Sequence, residues 1–390
     1  MSIPLSSPNI NADDRNAVLE VLNSTALSLG PRVPEFEAAI CNVTGAKYAV
    51  AVNSGTSGLH LAVKAAEIHD GDQVITTAFS FVASANCILF ERGVPVFVDI
   101  DERSLNIDVA RVERAITTRT KAILVVHVFG RPCAMDQLLP IAERHGLILI
   151  EDACEALGAT FDGRAVGRFG QTGVFAFYPN KQITTGEGGV VITDDERIAS
   201  LCRSWRNQGR SERAEWLEHE RLGFNYRISD INCALGVSQL RRLPAVLRAR
   251  ARVARLYDEA LSDVVDVIRP QLGEPHGEVS WFVYVVRLSD EFNRRQRDEV
   301  LVGLSQRGIG CRNYFSPIHL QPFYRTSFGF CKGALPVTEH VADRTIALPF
   351  YTSLSEAEVG EVCAALRQSI EEVKAPRRFA HRVLGAAGHS

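Results

Sequence analysis

Hydrophobic residues along the first 260 positions follow two alternating patterns. Short, almost continuous apolar runs occur at residues 48–54, 72–78, 94–100, 121–130 and 147–153. Continuous runs of this length are typical of parallel strands that are buried on both faces of a sheet. Segments with helical spacing separate them, so the sequence predicts a three-layer α/β domain.

Two further apolar runs, residues 173–177 and 189–193, flank a polar loop that carries Lys181. The loop is rich in glycine and threonine. It is too short to hold a helical crossover, which a parallel connection would need. We therefore expect these two runs to form an antiparallel pair of strands.

A long helical pattern follows from residue 229 to residue 261, and Pro244 predicts a kink within it. A chain of 390 residues exceeds what one hydrophobic core usually serves. We therefore predict a large α/β domain at residues 1–245 and a smaller α+β domain at residues 246–390. The N-terminal arm is expected to pack on the smaller domain.

The composition is that of a soluble globular protein, with 46% hydrophobic residues, 23% charged residues and a net charge of −3. The sequence has no long basic block, so neither nucleic acid nor a membrane surface is an expected partner. It shows neither a signal peptide nor a run of transmembrane length, and we expect a cytoplasmic protein. The nine cysteines form no CxxC pair, and no metal site is predicted.

Lysine is rare in this chain, with six lysines among 43 basic residues. Of these six, only Lys181 falls in a tight loop directly after a predicted sheet strand. An amine held there can be partly desolvated, which lowers its pKa and makes it a nucleophile that forms a Schiff base with an aldehyde. The alternative is a solvated turn lysine.

Two acidic residues, Glu151 and Asp152, end the predicted strand at 147–153. Neighbouring strand residues point to opposite faces, so only one of the two carboxylates should face a site at the sheet edge. We favour Asp152, which could keep a pyridinium nitrogen protonated. A lysine Schiff base together with such an aspartate is the protein signature for pyridoxal phosphate (PLP). The alternative for Asp152 is a helix N-cap.

Two other segments lead to the same edge of the predicted sheet. In "NSGTSGLHLA" the N–H groups of Gly55 and Thr56 open a helix and could bind a phosphate, although such turns often only cap helices. In "TTAFSFVASAN" Phe81 follows a strand, where its ring could stack on a planar cofactor. The alternative for Phe81 is a place in the hydrophobic core.

Together these segments resemble the nucleotide-sugar aminotransferases of the DegT/StrS type. The blocks "FYPNKQITTGEGGVVIT", "NSGTSGLHLA", "TAFSFVASAN", "EDACEALGA" and "GFNYRISDINCALG" match that family in order and spacing. The resemblance covers nearly the whole chain. It implies a PLP-dependent transferase of fold type I, the aspartate aminotransferase class, that works as a homodimer.

The resemblance also implies the roles of individual residues. By resemblance, Lys181 is the Schiff-base lysine, Asp152 binds the pyridine nitrogen, Phe81 stacks on the ring, Gly55 and Thr56 hold the phosphate, and Asn225 reaches it from the partner subunit. Glu155 stands where the family commonly has glutamine or histidine near the phenolic oxygen of the cofactor. We expect it to accept hydrogen bonds unless its pKa is raised. Ala176 replaces a serine that often helps to bind phosphate.

The implied reaction moves an amino group from L-glutamate, through the pyridoxamine phosphate form, to a nucleotide-linked keto-sugar. A 4-keto-6-deoxyhexose is the leading candidate, and a 3-keto sugar or a keto-cyclitol remains open. Arg312, Tyr314 and His319 are candidate sugar or diphosphate contacts, with loop packing as the alternative. A non-catalytic PLP-binding regulator and a cofactor-free α/β binding protein also remain open.

Overall fold

The computed structural model describes residues 2–210 and 218–375. Its strands are β1 (Tyr48–Val52), β2 (Gln73–Thr77), β3 (Val94–Val98), β4 (Thr120–Val126), β5 (Ile148–Asp152), β6 (Thr160–Phe161), β7 (Arg164–Ala165), β8 (Thr172–Ala176), β9 (Gly189–Thr193), β10 (Val267–Ile268), β11 (Gly277–Glu278), β12 (Tyr284–Leu288) and β13 (Thr345–Leu348). Its α-helices are α1 (Ala12–Leu22), α2 (Arg32–Thr44), α3 (Gly55–Ala65), α4 (Ala83–Phe90), α5 (Val109–Ala115), α6 (Met135–Arg144), α7 (Glu196–Arg206), α8 (Asp230–Arg241), α9 (Leu243–Ala260), α10 (Arg294–Gln306), α11 (Pro322–Phe328), α12 (Pro336–Ala342) and α13 (Glu356–Lys374). Short 3₁₀ turns lie at Val128–Gly130 and Ile318–Leu320.

The central sheet has seven strands in the order β1-β9-β8-β5-β4-β2-β3. Within this sheet, β9 runs antiparallel to both of its neighbours, and the remaining pairs are parallel. The five strands expected before residue 154 are present, each shorter than its apolar run. The antiparallel pair expected around the Lys181 loop is β8 with β9, and that prediction is confirmed.

Helices cover both faces of this sheet. On one face, Leu124 and Ile150 pack with residues of α3, α4 and α7. On the other face, Ile123 and Leu149 pack with α5 and α6, while β8 and β9 pack with α2 and α8. Neighbouring residues of a strand point to opposite faces of the sheet, and helices cover both faces. The buried strands therefore have apolar residues at nearly every position. The predicted three-layer α/β architecture with a mostly parallel sheet is confirmed.

The helical pattern of residues 229–261 forms two helices, α8 and α9, instead of one kinked helix. They separate at Arg242, whose φ of −111° and ψ of 9° are not helical. Pro244 lies in the first turn of α9, where its missing N–H removes no intrahelical hydrogen bond. The expected kink at Pro244 is thus wrong, because the proline begins a helix there.

The chain after this break builds a second hydrophobic cluster. It combines α9, α10 and α13 with a three-stranded antiparallel sheet in the order β10-β12-β13. Ile3 of the N-terminal arm is buried in the same cluster and pairs with Ile309. In contrast, α8 packs on α1 and α2. These packing partners support a domain boundary after residue 245, which stays our proposal; residues 376–390 of the proposed smaller domain lie outside the described part.

Candidate active site

The loop between β8 and β9 is closed by its own backbone. The N–H of Lys181 donates to the carbonyl of Tyr178 at 2.9 Å, with Pro179 in the second position of this turn. Proline favours that position because its φ is fixed near the value the turn needs. The N–H of Thr185 returns to the carbonyl of Phe177 at 3.0 Å. The loop is therefore held at both ends and presents Lys181 at the edge of the sheet.

The amine of Lys181 is enclosed rather than solvated. Its Nζ lies 3.6 Å from Oε1 of Glu155 and 4.0 Å from the centre of the Phe282 ring. The side chain is only 13% exposed. A carboxylate and the face of an aromatic ring both attract an ammonium group. The structure thus excludes the alternative of a solvated turn lysine.

Glu155 is a buried carboxyl between Lys181 and the chain at Phe129. The N–H of Phe129 donates to its Oε2 at 2.9 Å. Burial raises the pKa of Glu155 above its ordinary value, although the Lys181 charge and the Phe129 hydrogen bond act in the opposite direction. The pKa of Glu155 is thus raised, as burial requires, while both of its neighbours interact with it as a hydrogen-bond or charge acceptor.

The two carboxylates at the end of β5 point to opposite faces of the sheet, as expected. Asp152 accepts hydrogen bonds from Oγ of Ser84 at 2.6 Å and from the N–H of Cys154 at 3.1 Å. Glu151 instead accepts backbone N–H groups from within residues 167–170. Residues 153–159 form turns, so Asp152 is not a helix N-cap.

Asp152 and Lys181 lie in the same neighbourhood. The charges of both act on the thiol of Cys154 and on the carboxyl of Glu155. Asp152 is 5% exposed, so its carboxylate meets little water. The sheet edge thus combines an enclosed amine and an enclosed carboxylate, and both act on Glu155.

Helix α3 begins two residues after β1 ends, as the motif predicts. The Oγ of Ser54 caps it by accepting the N–H of Ser57 at 3.1 Å. Over residues 2–210 and 218–375, the N–H groups of Gly55 and Thr56 have no protein acceptor. The helix dipole adds positive potential at this end, so these two groups can bind an anion.

Gly55 is required by its close contact with β8 and β5. A Cβ placed on Gly55 would lie 2.6 Å from the Cβ of Ala176 and 3.1 Å from Sγ of Cys154. Both distances are too short for a side chain without a shift of the neighbouring residues. Glycine therefore lets the open end of α3 approach the strand that leads to Lys181.

Phe81 connects β2 with α4, and its ring is 62% exposed. The alternative of a core phenylalanine is therefore wrong. An exposed flat ring at this edge can stack on a planar ligand.

Asn225 lies beside the segment that precedes α3 in its own chain. Its carbonyl accepts a hydrogen bond from Nδ2 of Asn53 at 3.4 Å, and it bridges to Asn207. The carbonyl of the next residue, Tyr226, accepts the N–H of Asn53 at 2.9 Å. The assignment of Asn225 to the partner's phosphate site stays a proposal.

The three candidate substrate contacts are not equally placed. His319 is completely buried, and its Nε2 is 3.0 Å from Oε1 of Glu339. We therefore withdraw His319, for which loop packing accounts. Tyr314 is half-buried, and burial raises its pKa, with the charge of Glu155 adding to this. Arg312 is exposed and its charge also reaches the phenol of Tyr314, so these two residues remain candidates.

Sequence reasoning missed three groups of the site. Ser84, which donates to Asp152, lies one helical turn after Phe81 in the same motif, so its position could have been noticed. The N–H of Phe129 and the ring of Phe282 gave no such signal. Both reach the site through packing between segments that are far apart in sequence.

These residues fit PLP. An enclosed amine, an enclosed carboxylate, two open N–H groups and an exposed ring match its aldehyde, pyridine nitrogen, phosphate and ring face. Together with the sheet topology, they define a PLP-dependent enzyme of fold type I.

The chain belongs to the DegT/DnrJ/EryC1/StrS aminotransferase family, whose model matches residues 8–367. It is 39% identical over 369 residues to GDP-perosamine synthase of Caulobacter vibrioides, which covers 94% of this chain and 98% of that protein. The structure of Helicobacter pylori PseC, an aminotransferase of pseudoaminic acid biosynthesis, is 30% identical with a TM-score of 0.91, and covers 95% of this chain and 100% of that one.

A third relative has been solved with the cofactor in two forms. The sugar aminotransferase Spr1654 of Streptococcus pneumoniae, described as putative, is known in a PLP form and in a pyridoxamine phosphate (PMP) form. The PLP form is 26% identical, has a TM-score of 0.91, and covers 96% of this chain and 100% of that one. The expected family, the fold class and the PLP cofactor are confirmed, and the chain is a PLP-dependent sugar aminotransferase.

Two kinds of feature are absent from the described residues. Within residues 2–210 and 218–375, no helix is long and apolar enough to span a membrane. The same residues contain no group of three or more metal-ligating side chains.

The raised pKa of Glu155 predicts how stability depends on pH. The neutral form is favoured in the folded protein, so ionisation costs stability as the pH rises through the folded-state pKa. Glu155→Gln cannot ionise. The melting temperature of the cofactor-free variant should therefore rise relative to wild type as the pH increases above 4.5, the ordinary pKa of a glutamate. Exposed Glu143 supplies the control Glu143→Gln. If the plots of melting temperature against pH run parallel for Glu155→Gln and wild type, the raised pKa of Glu155 is contradicted.

Proposed function

We propose that this enzyme transfers the amino group of L-glutamate to a nucleotide-linked keto-sugar, with a 4-keto-6-deoxyhexose as the leading substrate. The enclosed amine of Lys181 at the sheet edge that carries Asp152 is the observation on which the proposal depends. The relative named GDP-perosamine synthase supports a nucleotide-linked sugar as substrate.

Each residue of the site has a proposed task. Lys181 would hold the cofactor through its aldehyde, and its free amine would take the proton from the donor's α-carbon. Asp152 keeps the ring nitrogen protonated, and Ser84 fixes its carboxylate by donating at 2.6 Å. PLP supplies an electron sink for the carbon that loses its proton.

The remaining contacts bind and orient. Gly55 and Thr56 hold the phosphate through their N–H groups, and Phe81 covers one face of the ring. Glu155 lies near the phenolic oxygen as a buried carboxyl whose pKa burial raises. Arg312 and Tyr314 remain the proposed substrate contacts.

We propose a homodimer with shared active sites, in which Asn225 serves the partner's phosphate. Several large apolar side chains are exposed in the single chain, which supports a surface that the partner subunit covers. They are Leu29, Phe81, Phe90, Tyr178 and Leu222. A cytoplasmic location is proposed from the nine cysteines, which are all unpaired and mostly buried.

Two other functions are separated from this one by experiment. A 3-keto sugar or a keto-cyclitol would be distinguished by a panel of keto-substrates offered to the pyridoxamine form. A non-catalytic regulator would hold PLP without its conversion to the amine form by L-glutamate.

The first test removes the amine. Lys181→Ala should slow conversion of the bound cofactor by L-glutamate by about 10³-fold or more, because the amine that is proposed to move the proton is removed. Absorbance spectra in single-turnover experiments measure the rate. Lys121, an exposed lysine, supplies the control Lys121→Ala, which should react like wild type. A Lys181→Ala enzyme with the wild-type rate refutes the proposal.

A second test mixes subunits of two variants, Lys181→Ala and Asn225→Ala, each of which should be inactive or weakened by itself. If Asn225 serves the partner, a dimer of Lys181→Ala with Asn225→Ala contains one site with both defects and one intact site. Random reassociation should then restore about a quarter of the wild-type activity. If Asn225 acts within its own chain, both sites of the mixed dimer stay defective, and mixing restores nothing beyond the average of the two parent variants.

A further inference from the structure

Arg250 of α9 is a buried cation that the proposed chemistry does not use. Its side chain is enclosed, with the residue only 4% exposed. Nη2 donates to the carbonyl of Lys181 at 2.8 Å, and Nη1 donates to the carbonyl of Phe282 at 3.0 Å. The guanidinium also lies 5.6 Å from the centre of the Phe350 ring. One planar group thus joins the Lys181 loop to the segment before β12.

The charge of Arg250 has no counterion in its surroundings. Over residues 2–210 and 218–375, Arg250 has no ion pair with a carboxylate, and burial alone shifts its pKa. Burial lowers the pKa of Arg250 to about 10, which still leaves it protonated at neutral pH. A buried charge without a counterion is expensive unless it is hydrogen-bonded. Here the bonds go to main-chain carbonyls beside the reactive amine.

The two carbonyls belong to Lys181 and Phe282, and both residues determine the surroundings of the Lys181 Nζ. Lys181 supplies the amine, and Phe282 supplies the ring that lies 4.0 Å from it. A rigid fork that binds both carbonyls fixes the distance between the two main-chain segments. The orientation of the amine therefore depends on a residue that touches neither cofactor nor substrate.

We propose that Arg250 is a positioning residue that locks the Lys181 loop against Phe282 and so holds the amine in its reactive orientation. A misplacement of reacting groups by about 1 Å can cost about 10²-fold in rate. Lysine at this position keeps the charge but loses the planar fork, so it cannot bind both carbonyls in the same geometry.

A matched control is available in the same part of the fold. Arg297 of α10 is also buried, at 2% exposure, and donates to the carbonyls of Ala342 and Thr345 at 2.9 and 3.0 Å. The same two carbonyls accept from Nδ2 of Asn313, and neither belongs to the Lys181 loop or to Phe282. Arg297→Lys therefore reproduces the burial and the loss of the fork without removing a hydrogen bond to the Lys181 loop.

The test compares Arg250→Lys with Arg297→Lys in the full chain by hydrogen–deuterium exchange and mass spectrometry. Peptides that contain residues 178–185 should exchange at least about 10-fold faster in Arg250→Lys, because the loop opens locally. The same peptides should match wild type in Arg297→Lys. Arg250→Gln, whose single amide nitrogen cannot reproduce the two-nitrogen fork, serves if the lysine variant does not fold. Wild-type exchange at residues 178–185 in Arg250→Lys, or equal acceleration in both variants, overturns the proposal.

A kinetic measurement adds the functional consequence and rests on the proposed function. The maximal rate of conversion of the cofactor by L-glutamate should fall about 10-fold in Arg250→Lys, with half-saturation changed by less than about 2-fold. Unchanged maximal rates would contradict a positioning role. If wild type itself does not react with L-glutamate, the proposed donor is wrong, and the exchange measurement still decides the role of Arg250.

Discussion

The contact of the Lys181 amine with the Glu155 carboxyl and the Phe282 ring is the interaction on which the site depends. It exists because β9 runs antiparallel to β8, so that the chain turns back at the sheet edge and leaves a short closed loop there. The same edge carries Asp152 and the open end of α3. Two carboxyl groups, one amine and two free N–H groups thus meet where the strands end.

Asp152 and Glu155 lie close together but have different surroundings. Asp152 accepts hydrogen bonds from Ser84 and from the backbone N–H of Cys154, which fix the direction of its carboxyl group. Glu155 is buried with one backbone N–H and the Lys181 amine beside it, and burial raises its pKa. Two carboxyls of one segment thus have different partners, Ser84 for Asp152 and the Lys181 amine for Glu155.

Much of this arrangement could be predicted from the sequence. Continuous apolar runs identified the buried strands, and strand alternation separated Asp152 from Glu151. Local patterns also placed Gly55, Phe81 and Lys181 at one edge, because parallel strands end on the same side of a sheet.

What the sequence did not show depends on contacts between distant segments. Phe282 and Arg250 reach the Lys181 loop only after the second hydrophobic cluster packs against the large sheet. His319 belongs to an aromatic and proline-rich segment, and it is completely buried beside the rings of Phe97 and Phe330. The helix break at Arg242 was hidden because Pro244 can either kink a helix or begin one.

The most direct test of the account identifies the residue that carries the cofactor. The full-length enzyme, loaded with PLP, is reduced with borohydride, digested and mapped by mass spectrometry. Because the chain has only six lysines, the modified residue can be assigned without ambiguity. The account predicts the reduced adduct on Lys181. An adduct on any of the other five lysines, with Lys181 unmodified, would contradict it.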